Sequence, residues 1–162
     1  MGHTPAQNAK RIALEKAIDV AAQLREGIVV GADTIVVVGK RILGKPRTKE
    51  EARRMLQLLS GREHVVYTAF ALVDAASCRH VVHVEKTRVR FRRIEKREID
   101  EYVLSGTPMD KAGAYGIQDD YGAVFVESVA GCFYNVVGFP LAQFYVTLKR
   151  FLIDLRKSQR KK

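Results

Sequence analysis

Residues 27–38 read Gly-Ile-Val-Val-Gly-Ala-Asp-Thr-Ile-Val-Val-Val. The apolar, largely β-branched side chains at both ends of this stretch predict two short strands, Ile28–Val30 and Ile35–Val38. Small residues lie between them, followed by Asp33 and Thr34. Because an unpaired carboxylate is costly to bury, Asp33 is expected where water or a cation can reach it. A turn or helix-capping aspartate at a strand end is the alternative interpretation.

A lysine follows this acid closely along the chain. A brief strand is predicted over Arg41–Leu43, and Lys45 comes soon after it. Pro46 restricts Lys45 to an extended conformation. The predicted hairpin therefore brings an amine near Asp33, a pairing that suits a metal-dependent reaction on a phosphate ester. Taken alone, Lys45 is more typical of an ordinary surface lysine.

The composition is that of a globular domain. The 162 residues include 47% apolar and 28% charged side chains, enough for a real core in a chain of this length. No apolar run approaches the roughly 20 residues of a membrane span, and residues 1–5 lack the apolar segment of a secretory signal. Cys78 and Cys132 lie far apart and are expected as free thiols in a reducing compartment. A cytoplasmic location without membrane contact is predicted.

The net charge of +10 raises the question of a nucleic-acid partner. Basic residues concentrate in the C-terminal residues 156–162 and in residues 86–93, where they alternate with Thr87, Val89 and Phe91. This period-two alternation predicts a half-buried strand with its basic side chains on the solvent face. An anionic small-molecule site is the second interpretation. Nucleic-acid binding is the least favoured, because the sequence contains none of the common recognition motifs.

Two capping boxes, Thr4 with Gln7 and Thr48 with Glu51, and hydrophobic periodicity predict the remaining elements. They are a helix from Pro5 to Gly27, a helix from Thr48 to Gly61, a helix over Ile94–Leu104, a terminal helix from about Pro140, a hairpin of strands His64–Val73 and His80–Arg92, and a strand near Ala123–Val129. The first helix is expected to bury Ala9, Ile12, Ala13, Ala17, Val20, Ala21 and Leu24. The predicted fold class is α/β, with a mixed, twisted sheet flanked by helices in a single domain.

A second cluster of candidate functional residues lies in the glycine-rich segment Asp110–Gln118. Besides small residues it contains Lys111, Tyr115 and the amide of Gln118. Because an amide donates and accepts hydrogen bonds at once, Gln118 suits the edge of a nucleobase, and Lys111 suits a phosphate. A loop-to-helix junction that requires glycine is the alternative. His64, His80 and His83 lie on or beside predicted strands without the partners of a catalytic triad or a paired metal spacing.

Six motifs occur in order along the chain: Gly31-Ala32-Asp33-Thr34, Lys45-Pro46, Leu59-Ser60-Gly61 with His64, Thr87-x-Val89-x-Phe91, Asp110–Gln118 and Asn135–Leu141. Their order and spacing resemble the Maf family of nucleoside triphosphate pyrophosphatases, which are structurally akin to inosine triphosphate pyrophosphatases. The resemblance implies a fold with a central cleft. It also implies hydrolysis of dTTP and UTP rather than of 7-methyl-GTP, because the long block ends in Gln118.

The resemblance implies a role for each candidate residue. Asp33 would be the general base and the acid that binds a divalent metal, magnesium or manganese. Thr34 and Gln118 would contact the base of the nucleotide. Lys16 and Lys45 would contact phosphates, with Lys111 as a further candidate. The implied products are the nucleoside monophosphate and pyrophosphate, and the implied assembly is a homodimer.

The chain departs from the family it resembles at the N-terminus. Family members carry a strand and a Ser-x-Ser-Pro-Arg-Arg loop ahead of the region matched here from about Arg11, and no such motif occurs in this sequence. The expectation is a single, N-terminally shortened domain spanning residues 1–162. Loss of two phosphate-binding arginines leaves a nucleotide-binding protein without catalysis as the second interpretation. A basic binding module linked to septum formation is the third.

Overall fold

The computed structural model describes residues 4–159; the residues at both ends, 1–3 and 160–162, lie outside it. The strands form one sheet in the order β2-β1-β3-β4-β5. Their bounds are β1 Ile28–Val38, β2 Arg41–Leu43, β3 Glu63–Asp74, β4 His80–Phe91 and β5 Val126–Ala130. The helices are α1 Pro5–Ala21, α2 Lys49–Leu59, α3 Lys96–Leu104, α4 Asp120–Phe125, α5 Phe133–Val137 and α6 Leu141–Gln159, with single 3₁₀ turns at Thr107–Asp110 and Ala112–Ala114.

The α/β class, with helices flanking a sheet, is confirmed, but the expectation of mixed strand directions is wrong for the described residues. All four neighbouring strand pairs are antiparallel. Two of these pairs, β1–β2 and β3–β4, are hairpins, which can only pair antiparallel. The connection from β2 through α2 then returns the chain so that β3 runs opposite to β1 on its other side.

The stretch 28–38 forms one continuous strand, so the prediction of two short strands is wrong. The partner strand β3 pairs with it without interruption, from Ile28 opposite Asp74 to Val37 opposite Val65. This ladder supplies backbone hydrogen bonds to the small residues in the middle, which on their own would break a strand. Asp33 therefore lies inside a strand and is neither a turn nor a capping residue.

Helix α1 begins as predicted. The Thr4 side chain accepts a hydrogen bond from the Gln7 backbone, and the Gln7 side chain completes the capping box. The helix ends at Ala21 rather than at Gly27, and two side chains expected on its buried face, Val20 and Leu24, are exposed. Its buried side consists of alanines alone, at positions 9, 13, 17 and 21.

The reason for this all-alanine face is the close approach of α1 to Gly31 in β1. A Cβ atom added at Gly31 would lie 2.2 Å from the Ala13 carbonyl oxygen and 2.9 Å from the Ala17 Cβ. Only a glycine facing alanines permits this separation between helix and strand. Of the larger apolar side chains of the helix, Leu14 packs at the edge of this contact, whereas Ile18 and Val20 are exposed.

The remaining elements follow the predictions with two adjustments. In α2, Thr48 caps the helix by accepting from the Glu51 backbone, but the Glu51 carboxylate accepts from the Arg47 backbone, so the expected capping box is not completed. The predicted strand near Ala123–Val129 divides into a short helix, α4, followed by β5. A helical hydrogen bond from the Ala123 backbone to the Asp119 carbonyl holds that first turn.

The two faces of the sheet are covered differently. Helix α1 covers one face of β1 and β3. On the opposite face, α2 and α3 pack against one end of the sheet around Leu56 and Phe91, and α6 packs against the other end around Phe70 and Phe151. The cross-strand pair Thr34 and Thr68 lies between these two packed ends. This arrangement leaves room for a cleft over the middle of β1.

Two expectations from composition concern the whole fold. Both cysteines are free thiols, as predicted. Among the described helices, none is long and apolar enough to cross a membrane.

Candidate active site

A cavity of about 310 Å³ opens beside β1, and all of the site residues predicted from the sequence line it. They are Lys16, Asp33, Thr34, Lys45, Lys111 and Gln118. Strand β2 pairs only with Val36–Val38, so the cavity lies next to the part of β1 that β2 does not reach. It receives Asp33 from the face that α1 covers and Thr34 from the opposite face, since successive strand residues point to opposite sides.

Asp33 and Lys16 form an ion pair at one end of the cavity. The ammonium group of Lys16 donates to Asp33 Oδ1 at 2.7 Å and to the Ala32 carbonyl oxygen at 3.2 Å. The Asp33 side chain is 17% exposed and that of Lys16 is 54% exposed. The carboxylate is therefore oriented by a cation and still open to the cavity. Lys16 reaches it from the middle of α1, which the alanine face holds against β1.

Lys45 is placed by a contact between two loops. The Gly113 backbone N–H donates to the Gly44 carbonyl oxygen at 3.0 Å, which ties the segment after β2 to the segment Asp110–Gln118. Gly113 has a left-handed φ of 74°, and a Cβ added there would lie 3.0 Å from Val36. Glycine is therefore required at this junction. The exposed side chain of Lys45 lies at the rim of the cavity.

Lys111 lines the same cavity, but its ammonium group is held by protein oxygens. It donates to the Thr107 carbonyl at 2.7 Å and to Asp110 Oδ1 at 2.8 Å, and it lies 3.5 Å from Asp119 Oδ2. Burial alone would lower the pKa of Lys111, but the hydrogen bond to Asp110 and the charge of Asp119 raise it above its ordinary value. Lys111 therefore adds positive charge to the cavity, but most of its N–H donors are already hydrogen-bonded to protein oxygens.

Two residues that the sequence analysis did not single out support this loop. The buried Tyr102 hydroxyl accepts from the Gly116 backbone at 3.2 Å and donates to Asp119 Oδ2 at 2.8 Å. Burial, with the hydrogen bond to Asp119 adding to it, raises the pKa of the Tyr102 phenol. The phenol therefore stays protonated and fixes the loop next to Gln118. Asp119 directly follows the block Asp110–Gln118, which is the one sequence signal that could have found it.

The half-buried Thr34 contacts a set of buried hydroxyl and amide groups beneath the cavity. Its Oγ1 lies 2.9 Å from Thr68 Oγ1 and 3.4 Å from the Gly138 carbonyl oxygen. Thr68 in turn lies 3.1 Å from the Asn135 carbonyl oxygen. Thr68 and Asn135 are fully buried polar residues, and their roles were missed. The sequence signal that could have indicated the role of Thr68 is its position as an isolated threonine in the apolar run of β3.

His64 lies in the core and does not line the cavity. Its Nε2 lies 2.8 Å from the Tyr115 hydroxyl, and its ring packs edge-on against Phe91. Burial lowers the pKa of His64 to about 4. The ring is therefore neutral near pH 7 and fixes Tyr115, whose ring lines the cavity.

The acidic residues of the cavity could bind a divalent ion together with substrate phosphates, but not by themselves. The described residues contain no cluster of three or more histidine, cysteine, aspartate or glutamate side chains that could hold a metal. The cavity lining includes Asp33 and Asp110, and Asp110 is paired with Lys111. Magnesium is commonly bound by one or two carboxylates together with substrate phosphates. Asp33 fits such a shared site, whereas a cage built by the protein alone does not fit.

A family model described as Maf-like protein matches residues 2–151. The chain belongs to the Maf family. This membership and the α/β fold confirm the recognition made from the motifs.

Curated relatives agree with this membership. The Maf chain is 48% identical over 150 residues to a protein of Pelotomaculum thermopropionicum, covering 93% of this chain and 78% of the relative. It is 46% identical over 147 residues to a protein of Carboxydothermus hydrogenoformans, covering 91% and 78%. It is 47% identical over 152 residues to a protein of Bacillus cereus, covering 94% and 78%. Each of these three relatives is named dTTP/UTP pyrophosphatase.

Proposed function

We propose that this Maf protein hydrolyses dTTP and UTP to the nucleoside monophosphate and pyrophosphate. The observation that carries the proposal is the single cavity that contains the Asp33–Lys16 pair together with Lys45 and Gln118. Cationic, acidic and amide side chains are thereby available to phosphates, a water molecule and a base at the same time. The names of the relatives support the choice of pyrimidine nucleotides.

Asp33 is the proposed general base. Among the described residues, Lys16 donates to Oδ1 of its carboxylate, which leaves Oδ2 to face a water molecule. The water oxygen attacks the α-phosphorus, and its proton passes to Asp33. The bond between the α-phosphorus and the bridging oxygen breaks, so pyrophosphate leaves with that electron pair. Lys16 keeps the carboxylate oriented during this step.

Lys16 and Lys45 are the proposed phosphate ligands. Both are exposed amines at the cavity, one from α1 and one from the loop after β2. Positive charge held where negative charge develops on the leaving pyrophosphate lowers the barrier. Lys111 contributes charge to the same cavity, although the Thr107 carbonyl and Asp110 occupy its ammonium group.

Gln118 and Thr34 are the proposed contacts to the pyrimidine. Gln118 is exposed at the cavity, and its amide can donate and accept at once. Apolar side chains complete this part of the lining, namely Val36, Val66 and Val136. A flat base can pack on such a wall while the polar groups read its edge.

We propose that magnesium or manganese takes part, held by Asp33 and the phosphates of the nucleotide. When bound, the ion would neutralise phosphate charge and polarise the reacting phosphorus. The requirement is tested by removing metal with EDTA and restoring it with magnesium chloride. Activity that survives EDTA unchanged would contradict it.

The function is tested by measuring pyrophosphate release from dTTP, UTP, dCTP, dATP and dGTP with magnesium. We expect release from dTTP and UTP to exceed release from both purine nucleotides by at least tenfold. A matched calorimetric titration with dTTP distinguishes the second interpretation. Binding of dTTP without pyrophosphate release would identify a nucleotide-binding protein and contradict the proposed enzyme.

The homodimer and the cytoplasmic location implied by the sequence remain proposals. Exposed apolar and aromatic side chains support self-association at α5 and the start of α6, namely Phe133, Tyr134, Val137, Leu141 and Tyr145. Light scattering coupled to gel filtration tests the dimer, with Tyr134→Asp expected to shift the mass toward the monomer. A monomeric mass for the unaltered chain would contradict it.

A further inference from the structure

The direction in which the Thr34 hydroxyl proton points is set by the protein groups around it. Thr34 and Thr68 each have one hydroxyl proton, and their Oγ1 atoms are 2.9 Å apart. At that separation one of the two hydroxyls donates to the other. Two acceptors that cannot donate lie next to them, the carbonyl oxygens of Gly138 and Asn135.

In the first arrangement, Thr68 donates to the Asn135 carbonyl at 3.1 Å. Thr34 must then donate to Thr68. In the second arrangement, Thr68 donates to Thr34, whose own proton turns to the Gly138 carbonyl at 3.4 Å. The first arrangement is favoured, because the 3.1 Å contact of Thr68 is close to the usual length of a hydroxyl–carbonyl hydrogen bond, whereas the 3.4 Å contact of Thr34 is long. The Thr34 proton then points to Thr68. What Thr34 retains for a ligand in the cavity is a lone pair.

The groups behind Thr68 are themselves fixed. The Asn135 side-chain amide donates to the Val66 carbonyl at 3.1 Å and to Thr87 Oγ1 at 2.8 Å. Thr87 Oγ1 also accepts from the Cys132 backbone and lies 3.1 Å from the Cys132 carbonyl. Thr68, Thr87 and Asn135 have no exposed surface. The direction of these hydrogen bonds is therefore set by protein groups.

We infer that Thr34, held as a pure acceptor by Thr68, selects pyrimidines that carry a ring N–H. This inference rests on the proposed function, since it assumes that Thr34 meets the base. Uracil and thymine present an N3–H donor, whereas the corresponding N3 of cytosine is an acceptor. Cytosine would place one lone pair against another, which leaves both buried acceptors unpaired. Thr68 is thus a positioning residue for base selection and does not touch the nucleotide.

One unpaired buried acceptor corresponds to a preference of about 10- to 100-fold. The experiment compares kcat/KM for dTTP and dCTP in the unaltered chain, in Thr68→Val and in Thr68→Ser. Thr68→Val keeps the shape and removes the hydroxyl, which leaves the Thr34 proton with the long 3.4 Å contact to the Gly138 carbonyl. The N3 lone pair of a cytosine in the cavity can then compete for that proton. We expect its dTTP:dCTP ratio to fall about tenfold, mainly through a gain in dCTP turnover. Thr68→Ser keeps the hydroxyl and is expected to keep the ratio.

A ratio for Thr68→Val at least threefold below that of the unaltered chain supports the inference, and a smaller change overturns it. Equal losses in Thr68→Ser and Thr68→Val would also overturn it, because the hydroxyl would then not be the cause. A purely structural defect would lower turnover of both nucleotides together and leave their ratio unchanged. If Thr68→Val does not fold, Thr34→Val removes the acceptor itself and must abolish the preference.

Failure of the proposed function is distinguishable from failure of this inference. If the unaltered chain releases no pyrophosphate, calorimetric titration with dTTP and dCTP measures the same preference as a ratio of dissociation constants. A tenfold tighter binding of dTTP that disappears in Thr68→Val would support the inference without hydrolysis. Equal binding of the two nucleotides by the unaltered chain would overturn it.

Discussion

The ammonium nitrogen of Lys16 lies 2.7 Å from Oδ1 of Asp33, although one residue belongs to α1 and the other to β1. Lys16 is more than half exposed, and exposed ion pairs contribute only about 0–1 kcal/mol to stability. The pair therefore matters little for folding. Its effect is on the site, because Lys16 orients the carboxylate of Asp33, in the middle of β1, toward the cavity.

Replacing Lys16 by methionine is expected to show that the ion pair matters for activity and not for stability. Lys16→Met removes the cation from the cavity, so we expect kcat/KM for dTTP to fall by about 100-fold or more. The free energy of unfolding in urea should change by less than about 1 kcal/mol. Lys10→Met, on the exposed face of the same helix, is the control and should leave both quantities unchanged. Full activity of Lys16→Met would remove this lysine from the site.

Replacing Gly31 by alanine is expected to push α1 away from the sheet. The added Cβ would meet the Ala13 carbonyl at 2.2 Å, so the helix must shift or the strand must bend. Overpacking of this kind costs about 1–3 kcal/mol, and we expect a loss of unfolding free energy at the upper end of that range. Gly44→Ala, where nothing lies within 4 Å, is the control. Equal stability of the two variants would show that the close approach is not rigid.

His64 should make the protein sensitive to acid. Burial lowers the pKa of His64 from 6.5 to about 4, so the unfolded chain binds the proton more readily than the folded chain. The resulting stabilisation is fully present above pH 6.5 and is lost as the pH falls toward 4, amounting to about 3 kcal/mol. Urea unfolding at pH 7 and pH 4.5 measures this loss.

The matched variants are His64→Gln and His80→Gln. His64→Gln removes the buried titrating ring, so its stability should fall by about 2 kcal/mol less between the two pH values than that of the unaltered chain. His80 is exposed and not packed in the core, so His80→Gln is the matched histidine control. The same acid-induced loss in all three proteins would assign the sensitivity to other groups.

Local signals in the sequence predicted much of this fold. Thr4 with Gln7, the apolar face of α2 and the alternation along β4 each depend on neighbours within one element, and each is confirmed. The end of α1 and the continuity of β1 depend on contacts with other elements. Gly31 has no side chain, so helix α1 packs directly against the backbone of β1 at that position. Strand β3 pairs with β1 without interruption from Ile28 to Val37. A single element does not reveal such contacts.

Some residues of the candidate site could likewise be recognised from local sequence, and others only from contacts with distant parts of the chain. Asp33, Lys45 and the block ending at Gln118 stand out because polar residues interrupt apolar or glycine-rich patterns. Thr68 and Asn135 act through partners far away in the chain, 34 and 67 residues apart along it. Their importance follows from burial and from the direction of their hydrogen bonds, which no spacing rule encodes.

The most direct test of the account is pyrophosphate release from dTTP by Asp33→Asn, measured beside the unaltered chain. Asparagine keeps the size of the side chain but cannot take the proton of the attacking water, so we predict a loss in kcat of at least 1,000-fold. The folded structure and dTTP binding should persist, and Asp19→Asn on the exposed side of α1 should retain full activity. Turnover by Asp33→Asn within tenfold of the unaltered chain would contradict the central assignment.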